Sequence, residues 1–343
     1  MTKRTMLLTM ATLTLAGGLA LSQSAPPAVI LDMRIENRVV YALDTPDVSK
    51  LATNPNSTSP TGVFLSGTAI RTFATFFSIA DIVSINGKPV KGTWTIRGTG
   101  LNMNPNPKPG EAIADTTRVN QVDEAFEILQ VDGTPIGTLF ALGVSSGAPP
   151  PGAPLIAANT NAVIVGGTGA FLGARGQQHL VQLIQAEHQA SATEDPANRR
   201  IAGAGAGIRR LVLHVIPMFR PEIATTSSGP ALVHASDFSL VTAAKPAHAG
   251  EILSMFASGL GPTRPGVDPG QPFPASALQI VNSPVEVDVN GSPADVLYTG
   301  GYPGAVDGYQ VNFRVPGGTT SGMATLRLTA GFISGALVKV PVQ

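Results

Sequence analysis

Few residues of this chain are spaced for chemistry, and each has a plain alternative. Glu127 lies between Phe126 and Ile128, so strand alternation points it away from both. It is either a barrel carboxylate of raised pKa or a solvent-facing residue. Trp94, the only tryptophan, is flanked by Thr93 and Thr95 and reads as core or as a wall on which a ligand stacks. Gly143-Val144-Ser145-Ser146-Gly147 matches the string of a nucleophile elbow. An elbow needs a helix after the serine, and the Ala-Pro-Pro-Pro-Gly that follows cannot start one with useful donors; a surface loop is the reading. The histidines His179, His188, His214, His234 and His248 form no His-x-His or His-Glu-x-x-His spacing, so no metal site is expected. His179 and His188 are placed on one long strand with opposite parity, and His214 is read as a hydrogen-bonded barrel residue.

Composition removes several classes of function. The chain has no cysteine, which excludes thiolate catalysis, Cys-ligated zinc and disulfides. Charged residues are 13%, about half the usual ~25%. Lys3 and Arg4 precede an apolar run to Leu21, with Ala20-Leu21-Ser22 as a cleavage site, so residues 1–22 read as a signal peptide. Its removal leaves about 20 basic against 22 acidic residues, and such neutrality argues against a nucleic-acid partner. No other segment is apolar enough to span a membrane. A secreted, periplasmic or cell-surface location follows.

The elements that must position any site are strands. With 38 Gly and 29 Pro, and no helical apolar period beyond the signal peptide, the chain reads as short strands joined by tight turns. Two β-rich blocks emerge, residues 28–221 and 231–343, with the Thr/Ser/Gly-rich stretch 222–230 as linker. Asn86-Gly87, Asp132-Gly133 and Asn290-Gly291 are hairpin signals. Eight or nine strands in the first block would close a small antiparallel barrel. Six or seven in the second fit an immunoglobulin-like β-sandwich. Phe73, Phe76, Phe77 and Phe140 are assigned to the core. Arg199-Arg200 and Arg209-Arg210 are assigned to a solvated face.

One corner is distinctive. Ala162–Val165 runs into Gly166-Gly167-Thr168-Gly169, then Ala170-Phe171, then Gly173-Ala174-Arg175-Gly176. Glycines there permit positive φ at a reversal, Phe171 can plug the barrel end, and Gly176 frees the backbone entering the next strand. This corner, with Gln177-Gln178-His179-Leu180, resembles that of the allene oxide cyclase and dirigent superfamily. The resemblance implies a barrel that binds an apolar small molecule and steers its ring closure or coupling, with no cofactor. It implies Arg175 as a pocket-facing cation; bracing of the turn carbonyls is the other reading. Ala170 stands where an acidic residue is common in dirigent members. Glu36 lies in the region where the cyclases place a carboxylate. The relatives form dimers or trimers, so a homo-oligomer through the barrel is implied.

The second block resembles an uncharacterised C-terminal module of secreted soil-bacterial proteins. Ala249–Leu253, Ser258-Gly259-Leu260-Gly261-Pro262-Thr263, the hairpin Val285–Leu297 and Tyr309–Pro316 carry that likeness. Two functions are therefore expected from different classes. One is ligand handling in the barrel, through Arg175, Glu36, Trp94 and Glu127. The other is a non-enzymatic envelope or matrix protein whose barrel is filled by its own side chains.

Overall fold

The computed structural model describes residues 28–42, 72–102, 118–145, 160–182, 188–190, 195, 197–198 and 207–343. These residues are all-β, without a helix. Residues 1–22 and Arg199-Arg200 lie outside them.

Nine strands form the first sheet: β1 (Val29–Ala42), β2 (Thr72–Ile85), β3 (Lys88–Asn102), β4 (Arg118–Leu129), β5 (Pro135–Ser145), β6 (Thr160–Gly169), β7 (Arg175–Gln182), β8 (His188–Ala190) and β9 (Arg209–Ile216). Neighbours β2 through β7 pair in sequence order, β9 joins β7 to β1, and β1 returns to β2. Eight antiparallel strands thus close a barrel, which removes exposed sheet edges. β8 is the exception: it pairs in parallel with Val39–Tyr41. His179 and His188 therefore sit on separate strands, β7 and β8, not on one.

At one end the barrel turns tightly. Asn86 and Gly87 both take positive φ, as the Asn-Gly hairpin requires. The glycine corner is built differently from expectation. β6 runs through Gly166-Gly167-Thr168-Gly169, and the reversal comes at Ala170–Ala174. Gly166 and Gly167 do not take positive φ; among the four residues, Gly169 does. A register shift opposite Phe140 absorbs the extra residue and keeps the glycines in the ladder. Gly176 is needed for close approach, because a Cβ there would collide with the His214 carbonyl oxygen. Phe171 is fully buried in the barrel core, as a plug would be.

The second half is a curled antiparallel sheet folded into a sandwich. Ser292–Gly301 passes between its layers, pairing first with Val285–Val289 and then with Gly308–Arg314. Leu253, Met255, Val311 and Phe313 of one layer pack against Val287, Leu326 and Leu328 of the other. The 222–230 stretch, read as linker, carries strand structure: Glu222–Ile223 pairs with Ala257 and Ser258, and Thr225–Thr226 with Gly229–Pro230.

The two cores are separate, with one crossing. Phe332 and Ile333 belong to the sandwich half by sequence, yet they pack in the barrel cluster with Ile136 and Phe171. Around that plug, Arg264 donates to Thr134 Oγ1 at 2.8 Å, Gln130 donates to the Asn282 carbonyl, and Lys88 pairs with Glu286.

Candidate functional site

Alternation along β4 decides what enters the barrel. Val122, Phe126 and Ile128 are buried, and Glu124 shares their parity. Its side chain lies in the barrel interior, 5% exposed. Trp94 Nε1 donates to Glu124 Oε2 at 2.7 Å, and Gln178 Nε2 donates to the same oxygen at 2.8 Å. Trp94 stacks on Phe126 with ring planes 7° apart. Gln178 is buried, and its Oε1 has no hydrogen-bond partner among the described residues.

Two arginines complete the cluster. In β1, Asn37 takes φ 55° and the register shifts between Glu36 and Val39. This bulge resets the inward parity set by Leu31, Met33 and Ile35, so Arg38 turns in. Its guanidinium carbon lies 5.5 Å from the Trp94 ring centroid, and Nε and Nη2 donate to Ser78 Oγ at 3.3 and 3.2 Å. Arg209 shares parity with the buried Leu211, Leu213 and Val215 and is itself 3% exposed.

Burial governs the charge states. It raises the Glu124 pKa, against the hydrogen bonds from Gln178 and Trp94 and the attraction of Arg38. It lowers Arg38 to about 10, opposed by Glu124. It likewise lowers Arg209 to about 10, helped by repulsion from Arg38. Both arginines stay charged at neutral pH. A carboxyl of raised pKa beside a cation and an indole can exchange a proton, and the guanidinium can stabilise a developing oxyanion.

This cluster divides the interior. Towards the sandwich, Leu31, Ile85, Ile128, Ile136, Phe171 and Val215 form one contiguous apolar packing. The arginine end is where the strands finish at Ala42, Asn102, Ser145 and Gln182. The interior is therefore apolar packing interrupted by a charged cluster: Ile96 lies level with Glu124, and Val122 and Phe76 continue the packing beyond it.

Of the four ligand-binding candidates Arg175, Glu36, Trp94 and Glu127, Trp94 alone reaches this cluster. Glu36 is at the surface, accepting from Arg34 Nε at 2.7 Å. Glu127 is exposed and accepts from Thr93 Oγ1 at 3.2 Å. Arg175 is exposed at the opposite end of β7 and donates from Nη1 to the Ala174 carbonyl at 2.9 Å, the turn-bracing geometry. Phe77 and Phe140, assigned to the core, are 36% and 43% exposed, because their strand parity faces outward; Phe76 does pack against the core. The Arg209-Arg210 pair splits: Arg210 is half-exposed and pairs with Asp32 at 2.7 Å, whereas Arg209 is interior. His214 meets His179 edge-on on the outer face, with centroids 4.7 Å apart. Ser145 ends β5, and residues 146–159 lie outside the described set.

No family model and no curated protein matches this sequence. Among solved structures, the N-terminal domain of the Streptococcus gordonii adhesin Sgo0707 aligns with 93% of this chain and 97% of its own, at 10% identity. Its TM-score of 0.19 carries no argument about fold or function.

Proposed function

We propose that the barrel of this protein binds an apolar small molecule bearing an oxygen function, held at the Arg38–Glu124–Gln178–Arg209 cluster, outside the cytoplasm. One observation carries this reading: the Glu124 carboxyl and the Arg209 side chain are buried, and the part-buried Arg38 turns inward beside them, in a barrel lined mainly by apolar side chains. Desolvating each ion costs several kcal/mol, and ionisable groups perturbed in this way cluster at functional sites. The unpartnered Gln178 Oε1 offers an acceptor to a ligand hydroxyl.

If the bound molecule reacts, the chemistry is cofactor-free isomerisation or coupling. Glu124 gives or takes the proton, Arg38 holds the negative charge on oxygen, and Trp94 walls the ring system. Arg175, Glu36 and Glu127 serve the scaffold in this reading. The eight-strand closure and the Phe171 corner support an allene oxide cyclase/dirigent-like barrel. The Lys3–Leu21 pattern supports export, and the boundary between barrel and sandwich modules falls near residues 222–230.

Native mass spectrometry of protein purified from its own secretion tests the proposal. A co-purified apolar ligand that is lost in Glu124→Gln or Arg38→Met is the expected result. Absence of any bound species, with no mass shift on adding fatty-acid epoxides or phenolics, overturns it.

A second reading has its own support. Phe140, Leu142, Val144 and Val163 leave an exposed apolar stripe on the outer face of β5 and β6. Such a stripe suits a non-enzymatic envelope or matrix protein that associates through the barrel, with another copy or with a neighbour. Sedimentation of Leu142→Lys separates the two: loss of assembly with retained ligand favours the first, and loss of assembly with no ligand in either form favours the second.

A further inference from the structure

We infer that the cleft between barrel and sandwich is a second binding site, for a small apolar amine. The cleft holds about 480 Å³, within the range of small-molecule pockets, which favour junctions between packed units. It is distinct from the barrel interior, being lined by the outer side of the Phe171 corner and by the sandwich loops.

Its floor is Gly259-Leu260-Gly261-Pro262-Thr263, from a motif that the barrel reading leaves without a role. Gly259 and Gly261 take positive φ of 72° and 87°. A Cβ on Gly261 would make only ordinary contact with Ala170, 3.5 Å from its Cα, so it is the positive φ that calls for glycine where the loop meets the barrel corner. Tyr309 anchors the loop by donating its hydroxyl to the Gly261 carbonyl at 2.7 Å, and Phe273 packs on the Tyr309 ring at 5.3 Å. The floor is therefore held in place before any ligand arrives.

The walls are apolar and open to solvent. Leu172, Phe219 and Val306 line the cleft while 57%, 56% and 54% exposed. Covering them is favourable by roughly 25 cal/mol per Å². The charged side chains of the lining are both carboxylates, Asp268 and Asp307. The arginines nearest in sequence turn elsewhere: Arg220 donates to the Ser334 carbonyl at 3.4 Å, and Arg264 to Thr134. Aromatic and aliphatic walls with carboxylates alone select a cationic, ring-bearing molecule and reject an anionic one.

Isothermal titration calorimetry of the full chain tests this with three matched probes: 1-naphthylmethylamine, 1-naphthylmethanol and 1-naphthoate. The amine should bind at least fivefold more tightly than the alcohol, and the carboxylate weakest. Asp307→Asn should erase the difference between amine and alcohol. Asp307 takes φ 51°, a conformation that asparagine tolerates, so this variant should fold. Leu172→Arg, at an exposed position, should abolish amine binding with an unchanged thermal melt. No heat from any probe at millimolar concentration, or naphthoate binding as tightly as the amine, overturns the inference. Amine binding that survives both variants and is lost in Arg38→Met also overturns it, because the probe would then occupy the barrel.

Discussion

The two ends of the barrel obey opposite rules. At the sandwich end, hairpins close the strands and Phe171, Phe332 and Ile333 fill the interior. Towards the other end, the same inward parity delivers Glu124, Arg209 and Gln178, and the bulge at Asn37 adds Arg38. Apolar packing stabilises one end, by burial of side chains that gain nothing from water. Ion burial weakens the other, and only hydrogen bonds and opposite charge offset it. Apolar packing dominates one end and the buried ions lie towards the other, and on this separation the proposed site rests.

Substitution can break that separation. Phe171→Ala should cost about 3–5 kcal/mol in urea unfolding and leave ligand occupancy at the cluster unchanged. Lost occupancy with intact stability would mean that the packed end is the binding end. Glu124→Ala strips Trp94 Nε1 and Gln178 Nε2 of their acceptor and leaves Arg38 without its counter-charge. It should cost about 3–5 kcal/mol, whereas Glu124→Gln, which keeps an acceptor oxygen, should recover most of this.

A pH series sharpens the contrast. The Glu124 pKa is raised in the fold, so between its unfolded and folded pKa values the native state holds more protons. Wild-type stability relative to Glu124→Gln should then fall as pH rises from 4.5 and level off above the folded pKa. The fall should be about 1.4 kcal/mol for every tenfold by which folding tightens the carboxyl's hold on its proton. Chemical unfolding at pH 5 and pH 8 measures it; an unchanged difference would mean that Glu124 ionises as freely as in the unfolded chain. The smallest effects belong to the outer surface. Arg175→Ala and Glu127→Ala should each stay within about 0.5 kcal/mol and leave ligand binding intact. Loss of binding in Arg175→Ala alone would return the anchor to the glycine corner.

Strand alternation made the fold legible, and it also explains what escaped. The Asn-Gly hairpins and the even spacing of turns point to a closed barrel and a sandwich, and both are present. The parity that sends Glu127 outward sends Glu124 inward, so that residue was readable from Val122, Phe126 and Ile128. Arg209 was readable too, from Leu211 and Leu213; the adjacent Arg210 disguised it as half of a solvated pair. Arg38 was not readable. From Leu31, Met33 and Ile35, simple alternation sends Asn37 inward, and only the bulge at Asn37 reverses this. The short strand β8 was folded into its neighbour for a similar reason, since nothing local marks where β7 ends.

Phe332 and Ile333 follow every barrel strand in the chain, yet they seat among barrel side chains such as Ile136 and Phe171, about 160 to 200 residues earlier. A ribosome making this protein from its amino terminus would release every strand of the barrel long before its bottom could be sealed. During that interval the nascent cylinder would present a greasy opening to chaperones. A gene fragment ending at residue 221 would freeze the molecule in that unfinished condition.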